Sequence, residues 1–307
     1  MRLLIAILLF APLLLMAQTS TVLVDVFTNS HCSPCAGAHA AVNSSITSTP
    51  RASNAIVVYN HWSTYQDDPI YQANTTQPKL RATWLGGVSG TPTVFFNGTR
   101  KSGSYNDWPS VLDGLIAVPP SFAVLPTLTS TADSLILTYT VTRTSGEAMP
   151  TVYSVLVENV TYLGRNGISE HDGALRALFT PVGGNELVFN ENIAVGRIAI
   201  ARQELWDATK LRAVISVQDP TTKRSLQAAQ VQAQMATDVE EDPTENTADA
   251  IVEVYSVTGA VINRQEGVRL QDEVIMSQLT KTLTSGAYFI RIVRGTSVSV
   301  RPFAITR

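Results

Sequence analysis

Cys32-Ser33-Pro34-Cys35 holds the only two cysteines of the chain, and it follows an apolar run. Val22–Phe27 has the Val, Leu and Phe content of a buried strand, Thr28–His31 is a polar loop, and the Ala-rich stretch after Cys35 has helical composition. Strand, loop, Cys-x-x-Cys and helix together put the first thiol at a helix N-terminus, where the macrodipole favours thiolate over thiol. That points to a redox pair. Two other readings use the same residues. A structural disulfide across so short a loop stabilises by only about 2 kcal/mol, against roughly 4 for a long loop. A copper or zinc site would need more ligands, and His39, four residues after Cys35, and His31 stand nearby in sequence. Haem attachment is disfavoured by Ala36, which stands where that motif needs histidine.

Met1-Arg2 followed by apolar Leu3–Met16 predicts a signal peptide over residues 1–17. No cysteine stands directly after the expected cleavage site, and no later stretch reaches the length of a membrane-spanning helix, so no integral span is expected once the signal is removed. The chain is therefore expected to be exported and secreted or held at the cell surface, where an oxidising milieu lets a dithiol cycle. A chain of 307 residues exceeds what one core usually organises. The net charge of −3 and the absence of a basic stripe argue against a nucleic-acid partner.

Residues 18–119 lay out as one α/β unit. Asn54–Asn60 is a second buried strand, His61–Pro69 a polar and aromatic connection, and a helix is expected from Ile70 or Pro78 to Trp84. Thr91-Pro92-Thr93 leads a later strand, Asn97-Gly98 is a hairpin signal, Thr99–Ser104 returns, and Asn106 caps a helix ending at Val118.

Cys-x-x-Cys after a first strand, with Thr91-Pro92-Thr93 leading a later one, resembles the thioredoxin fold. The resemblance implies that Cys32 and Cys35 are catalytic and form a Cys32–Cys35 disulfide, that Pro92 is cis beside it, and that Thr91 and Pro92 hold a substrate strand. Asp25 is the residue offered as proton acceptor. It lies seven positions before Cys32, and strand alternation decides whether it faces the sulfurs. His31 stands where thioredoxins usually carry tryptophan. Asp25-Val26-Phe27-Thr28-Asn29, Tyr59-Asn60-His61-Trp62 and Asp68-Pro69-Ile70-Tyr71 resemble exported thioredoxin-like proteins related to the twenty-eight-kilodalton outer membrane protein family. His61, just beyond a central strand, joins Asp25 as a proton-relay candidate.

Residues 120–235 change to strand composition, with Leu135–Val141, Val152–Val160 and Leu211–Val217 separated by turns, which predicts an antiparallel β-sandwich. His171, Asp172 and Arg176 read as a structural polar cluster. Residues 236–249 are an acidic linker poor in hydrophobes. Residues 250–307 alternate as strands, and Ser285-Gly286-Ala287-Tyr288 with a basic terminal strand resembles the C-terminal sorting domain of type IX secretion, a β-domain that implies secretion machinery as a partner. The fold class expected is thus multi-domain: α/β thioredoxin-like, then all-β sandwich and a small C-terminal β-domain. The function expected is a thiol–disulfide oxidoreductase acting on protein thiols and disulfides outside the cytoplasm, without cofactor or metal. The other class is a surface binding or adhesion protein on a non-catalytic thioredoxin-like scaffold.

Overall fold

The computed structural model of the chain describes residues 19–63, 65–146, 149–235, 250–256, 261–268, 283, 286–294 and 297–305. The expected signal peptide and acidic linker lie outside the described residues, as do Ser285 and the terminal Thr306-Arg307 of the C-terminal motif.

Every residue of β1 (Val22–Thr28) is buried, Asp25 included, as its largely apolar composition requires of a strand covered on both faces. It pairs in parallel with β2 (Ala55–His61) and antiparallel with β3 (Thr93–Phe96), which returns as β4 (Thr99–Lys101). The turn between β3 and β4 puts Asn97 and Gly98 at positive φ, 46° and 79°, the geometry that favours Asn-Gly. Val22, Val24 and Val26 pack against α1 (Ser33–Val42), while Phe27 packs on the opposite face with Ala82 and Leu85.

The single helix expected before Trp84 is two, α2 (Pro69–Gln72) and α3 (Gln77–Trp84). Between them the Asn74 side chain donates to the Leu175 and Arg176 carbonyls at 3.3 and 3.2 Å, a long-range bond that favours a break there. The cap expected at Asn106 is displaced as well. Ser104 caps a short 3-10 turn over Tyr105–Asp107, and α4 (Trp108–Ile116) starts only after it.

The following strands are β5 (Phe122–Ser130), β6 (Ser134–Arg143), β7 (Thr151–Thr161), β8 (Glu170–Leu178), β9 (Asn185–Glu186), β10 (Ile193–Ala201), β11 (Leu211–Gln218), β12 (Ser225–Gln232) and β13 (Gln234–Met235). One sheet runs β10-β6-β5-β13, and its Phe122, Leu135 and Leu137 pack on Leu156, Leu211 and Ile215 of β7 and β11. The facing sheet does not end with this segment. β8 pairs in parallel with β2 at Tyr59 and Ala174, so a nine-stranded sheet runs β12-β11-β7-β8-β2-β1-β3-β4, with β9 on β7. It folds back on itself, because Leu23, Ile56 and Val58 share a core with Tyr153, Val155 and Val214. β7 and β11 are therefore covered from both sides, which is why their polar–apolar alternation is weak. Gly173, at φ +85°, marks the crossing: a Cβ there would sit 2.8 Å from the Val57 carbonyl oxygen.

A third, antiparallel sheet runs β15-β14-β16-β17 from β14 (Ala250–Ser256), β15 (Val261–Val268), β16 (Gly286–Arg294) and β17 (Ser297–Ile305). Val252, Val254, Tyr288 and Ile290 are buried in it. Among the described residues no helix is long and apolar enough to cross a membrane.

Candidate functional site

Cys32 is the N-cap residue of α1, with extended backbone at φ −88° and ψ 107°, and Pro34 occupies the first turn. The Cys35 N–H donates to the Cys32 carbonyl at 3.0 Å. The two residues form a disulfide with their Cα atoms 5.3 Å apart. The Thr91–Pro92 peptide bond is cis, and the Thr91 carbonyl oxygen lies 3.7 Å from the Cys32 Sγ. The chain thus brings Cys32, Cys35, Thr91 and Pro92 together at the start of a helix, where the dipole stabilises a thiolate when the bridge is opened. Both sulfur residues are enclosed: Cys32 is 2% exposed and Cys35 0%.

The turn before Cys32 is held from several sides. Asn29 donates through Nδ2 to the Trp62 and Tyr65 carbonyls, and its Oδ1 accepts the His31 N–H. The Ser30 N–H donates to Asp68 at 2.8 Å. From the other segment, Asn166 donates its backbone N–H to the Ser30 carbonyl at 3.1 Å and its Nδ2 to the Asn29 carbonyl at 3.2 Å. Gly164 lies so close that a Cβ would stand 2.3 Å from the Ser30 oxygen. The loop between β7 and β8 is therefore clamped onto the residues that deliver Cys32.

Asp25 occupies the face of β1 opposite Val24 and Val26, hence across the strand from the helix that carries the cysteines. Its carboxylate is bound by Arg81, Oδ2 at 2.8 Å from the Nη2 and Oδ1 at 3.3 Å from the Nε, and Asn60 donates to Oδ1 at 3.2 Å. Arg81 is itself buried, lying over the Tyr153 ring at 4.0 Å and the Trp84 ring at 4.9 Å. The strand's two-residue period and this partner commit Asp25 to an ion pair. The sequence offered no signal for Arg81, 56 residues away.

His61 is buried at the end of β2, with its Nδ1 2.8 Å from Asp68 Oδ2. Burial works to raise the Asp68 carboxyl, but the His61 imidazole and the Ser30 N–H outweigh it and hold the group well below the usual carboxylate range. The His61 ring lies 5.4 Å from that of His171, whose Nε2 is 3.0 Å from the Tyr162 carbonyl. His39 stacks on Tyr59 at 4.4 Å, meets His171 edge-on at 6.1 Å, and reaches the Thr28 hydroxyl at 3.0 Å. His31 bonds Asp67 at 3.1 Å and the Tyr162 hydroxyl at 3.3 Å. All four histidines of the chain thus gather around the segment leading to Cys32. Burial, then the nearby His171 and His61, pull the His39 imidazole down to about 3. Burial and His61 lower His171 as well. His61 Nε2 and His171 Nδ1 are enclosed without a hydrogen-bond partner among the described residues.

The expected cluster of His171, Asp172 and Arg176 does not form. Strand alternation parts His171 from Asp172, and Arg176 pairs with Glu158 at 2.6 Å. Among the described residues no group of three or more His, Cys, Asp or Glu side chains is placed to hold a metal ion.

No protein-family profile matches the sequence, and no curated protein matches it. Among solved structures the fold is similar to HBP35 of Porphyromonas gingivalis, with a TM-score of 0.62 at 14% identity over 94% of this chain and 99% of that one. A protein of Agrobacterium tumefaciens aligns over 73% of this chain and 99% of its own, with a TM-score of 0.46 at 14% identity. A domain of the outer membrane lipoprotein Omp28 from Porphyromonas gingivalis aligns over 38% of this chain and 90% of its own, with a TM-score of 0.30 at 17% identity.

Proposed function

We propose that the chain is an exported thioredoxin-like thiol–disulfide oxidoreductase acting on protein substrates. The observation that carries this reading is Cys32 as the N-cap of α1, with the Thr91 carbonyl oxygen of the cis Thr91–Pro92 bond 3.7 Å from its sulfur. In the reduced protein the Cys32 thiolate attacks one sulfur of a substrate disulfide and expels the other as thiolate, which takes up a proton. The Cys35 thiolate then attacks Cys32 Sγ, releasing the second substrate thiolate and closing the Cys32–Cys35 bridge. Two electrons pass to the substrate, and a dithiol reductant restores the protein. With the roles reversed, a substrate dithiol attacks Cys32 and leaves oxidised. Thr91 and Pro92 form the edge on which an extended substrate lies. Asp25, held by Arg81 across the strand, is not the proton acceptor in this reading, and His61 acts through Asp68 and Ser30 on the reactive turn.

Insulin reduction by dithiothreitol tests the proposal. The wild-type protein accelerates it and Cys32→Ser does not. Equal, poor rates for the two proteins sink the enzyme reading and leave the second one, a surface binding protein on a thioredoxin-like scaffold. The enclosure of both sulfurs, 2% and 0% exposed, is what favours that second reading.

The β14–β17 sheet is, in the same proposal, a sorting domain read by type IX secretion machinery. Deleting residues 250–307 leaves the protein inside the cell envelope if this holds, and export undiminished by the deletion refutes it.

A further inference from the structure

β2 and β8 pair at one position only, Tyr59 with Ala174, and diverge before it. Between them, α1 and the 167–172 segment, a cleft of about 620 Å³ opens, within the size range of sites that enclose drug-sized ligands. Among the described residues no strand pairs with the cleft side of Ala55 and Ile56, while Gly173 of β8 stands against the Val57 carbonyl. Arg212 of β11 also lines the cleft, beneath Gly173, and is its one Lys or Arg among the described residues. Its Nε is enclosed and has no acceptor among the described residues. Burial lowers the guanidinium's proton affinity, with Asp172 acting against it through space. Asp172 and Glu170 are exposed at the rim. Ala36, Ala40 and Ile168 supply apolar surface.

A partly open strand edge, one half-buried guanidinium with an enclosed Nε and two rim carboxylates select their occupant. Strand edges accept extended polypeptide backbone. A planar guanidinium lacking an acceptor takes a carboxylate in a two-bonded fork. The rim carboxylates repel a polyanion and accept an ammonium or amide donor. We propose that the cleft binds the C-terminal end of a short peptide, its terminal carboxylate on Arg212 and its amino end toward Asp172 and Glu170. Neither cysteine lines the cleft, so this site stands or falls separately from the dithiol.

Calorimetric titration of the full-length oxidised protein with a randomised tripeptide pool tests it, the pool made once with free and once with amidated C-termini. The free pool is expected to bind, and amidation to weaken binding roughly 30-fold or more, as expected when one partner of a buried charge pair is removed. Arg212→Gln is expected to lose the free pool to the same degree. Ala40→Phe, an exposed helix position lining the cleft, blocks binding while leaving Arg212 in place. Equal binding of the two pools, no binding of either, or inorganic phosphate binding as well as the free pool overturns the proposal. The amidation arm uses only the wild-type protein, so it decides even if Arg212→Gln fails to fold.

Discussion

Two buried polar clusters lie on opposite sides of β1, and they are built on opposite principles. On one side Asp25 and Arg81, 0% and 1% exposed, join charges of opposite sign, with Asn60 on the carboxylate and Gln218 3.4 Å from the guanidinium. On the other side His39, His61 and His171 join groups that repel each other once protonated, and two of their nitrogens lack partners among the described residues. The first cluster pairs opposite charges, whereas in the second burial and mutual repulsion favour neutral His39 and His171. The charged pair ties α3 and β1 to Tyr153 of β7, so it fastens one segment to the next. The histidine cluster borders the turn that delivers Cys32. The structure thus separates what holds the molecule together from what can respond to its surroundings.

Breaking the charged cluster from one side should have the largest effect. Arg81→Met leaves the Asp25 carboxylate buried without its cation, at a cost of about 3–5 kcal/mol. Urea unfolding should show this as a large fall in midpoint. The double substitution Asp25→Leu with Arg81→Met should recover most of the loss, since an apolar pair of suitable volume can replace a buried ion pair. A single variant as stable as the wild type would mean that the pair contributes nothing.

The neutral cluster should reveal itself by pH. His39 is held near 3 in the folded protein against an ordinary value near 6.5, and His171 is lowered in the same direction. Between those values the unfolded chain binds more protons than the folded one, so stability rises with pH and is lost as pH falls from 6.5 towards 3. Each imidazole contributes a slope of up to about 1.4 kcal/mol per pH unit. Asp68, held low by His61 and Ser30, adds a further loss as pH falls below the ordinary carboxylate value. Urea midpoints at pH 7, 5.5 and 4.5 should fall in that order, and His39→Gln should flatten the upper part of the curve. A flat profile in the wild type would show that the imidazoles are solvated.

What the sequence made legible was local, and what it hid was long-range. The strand–loop–Cys-x-x-Cys–helix order, the Asn97-Gly98 turn and Thr91-Pro92 before β3 are written in neighbouring residues, and each has its predicted place. The join between β2 and β8 is a single residue pair more than a hundred positions apart, carried by Gly173 and by no periodicity. Nothing local in the sequence marks Arg81 or Arg212 as covered by a distant strand. In sequence His39 reads as a neighbour of Cys35, His61 as the residue beyond a central strand and His171 as part of a cluster with Asp172 and Arg176. Only the folded-back sheet shows that these three histidines share one enclosure.

The smallest expected effect sharpens the comparison most, because it separates the histidine side's shielding from its stability. Asn166 contributes two hydrogen bonds to the turn that delivers Cys32, one from its backbone and one from its side chain. Asn166→Ala removes only the side-chain bonds to the Asn29 carbonyl and the Ile168 N–H, a net loss of about 1 kcal/mol. Global stability should fall by no more than that amount, while local opening of the turn becomes about fivefold more frequent, since 1.4 kcal/mol corresponds to tenfold. Attack on Cys32, 2% exposed in the closed state, depends on that opening. Reduction of the bridge by dithiothreitol, followed by alkylation and mass, should quicken by about that factor, while the urea midpoint falls only by what a loss of about 1 kcal/mol accounts for. An unchanged reduction rate would place the shield elsewhere, on the side of Thr91 and Pro92 rather than of the β7–β8 loop.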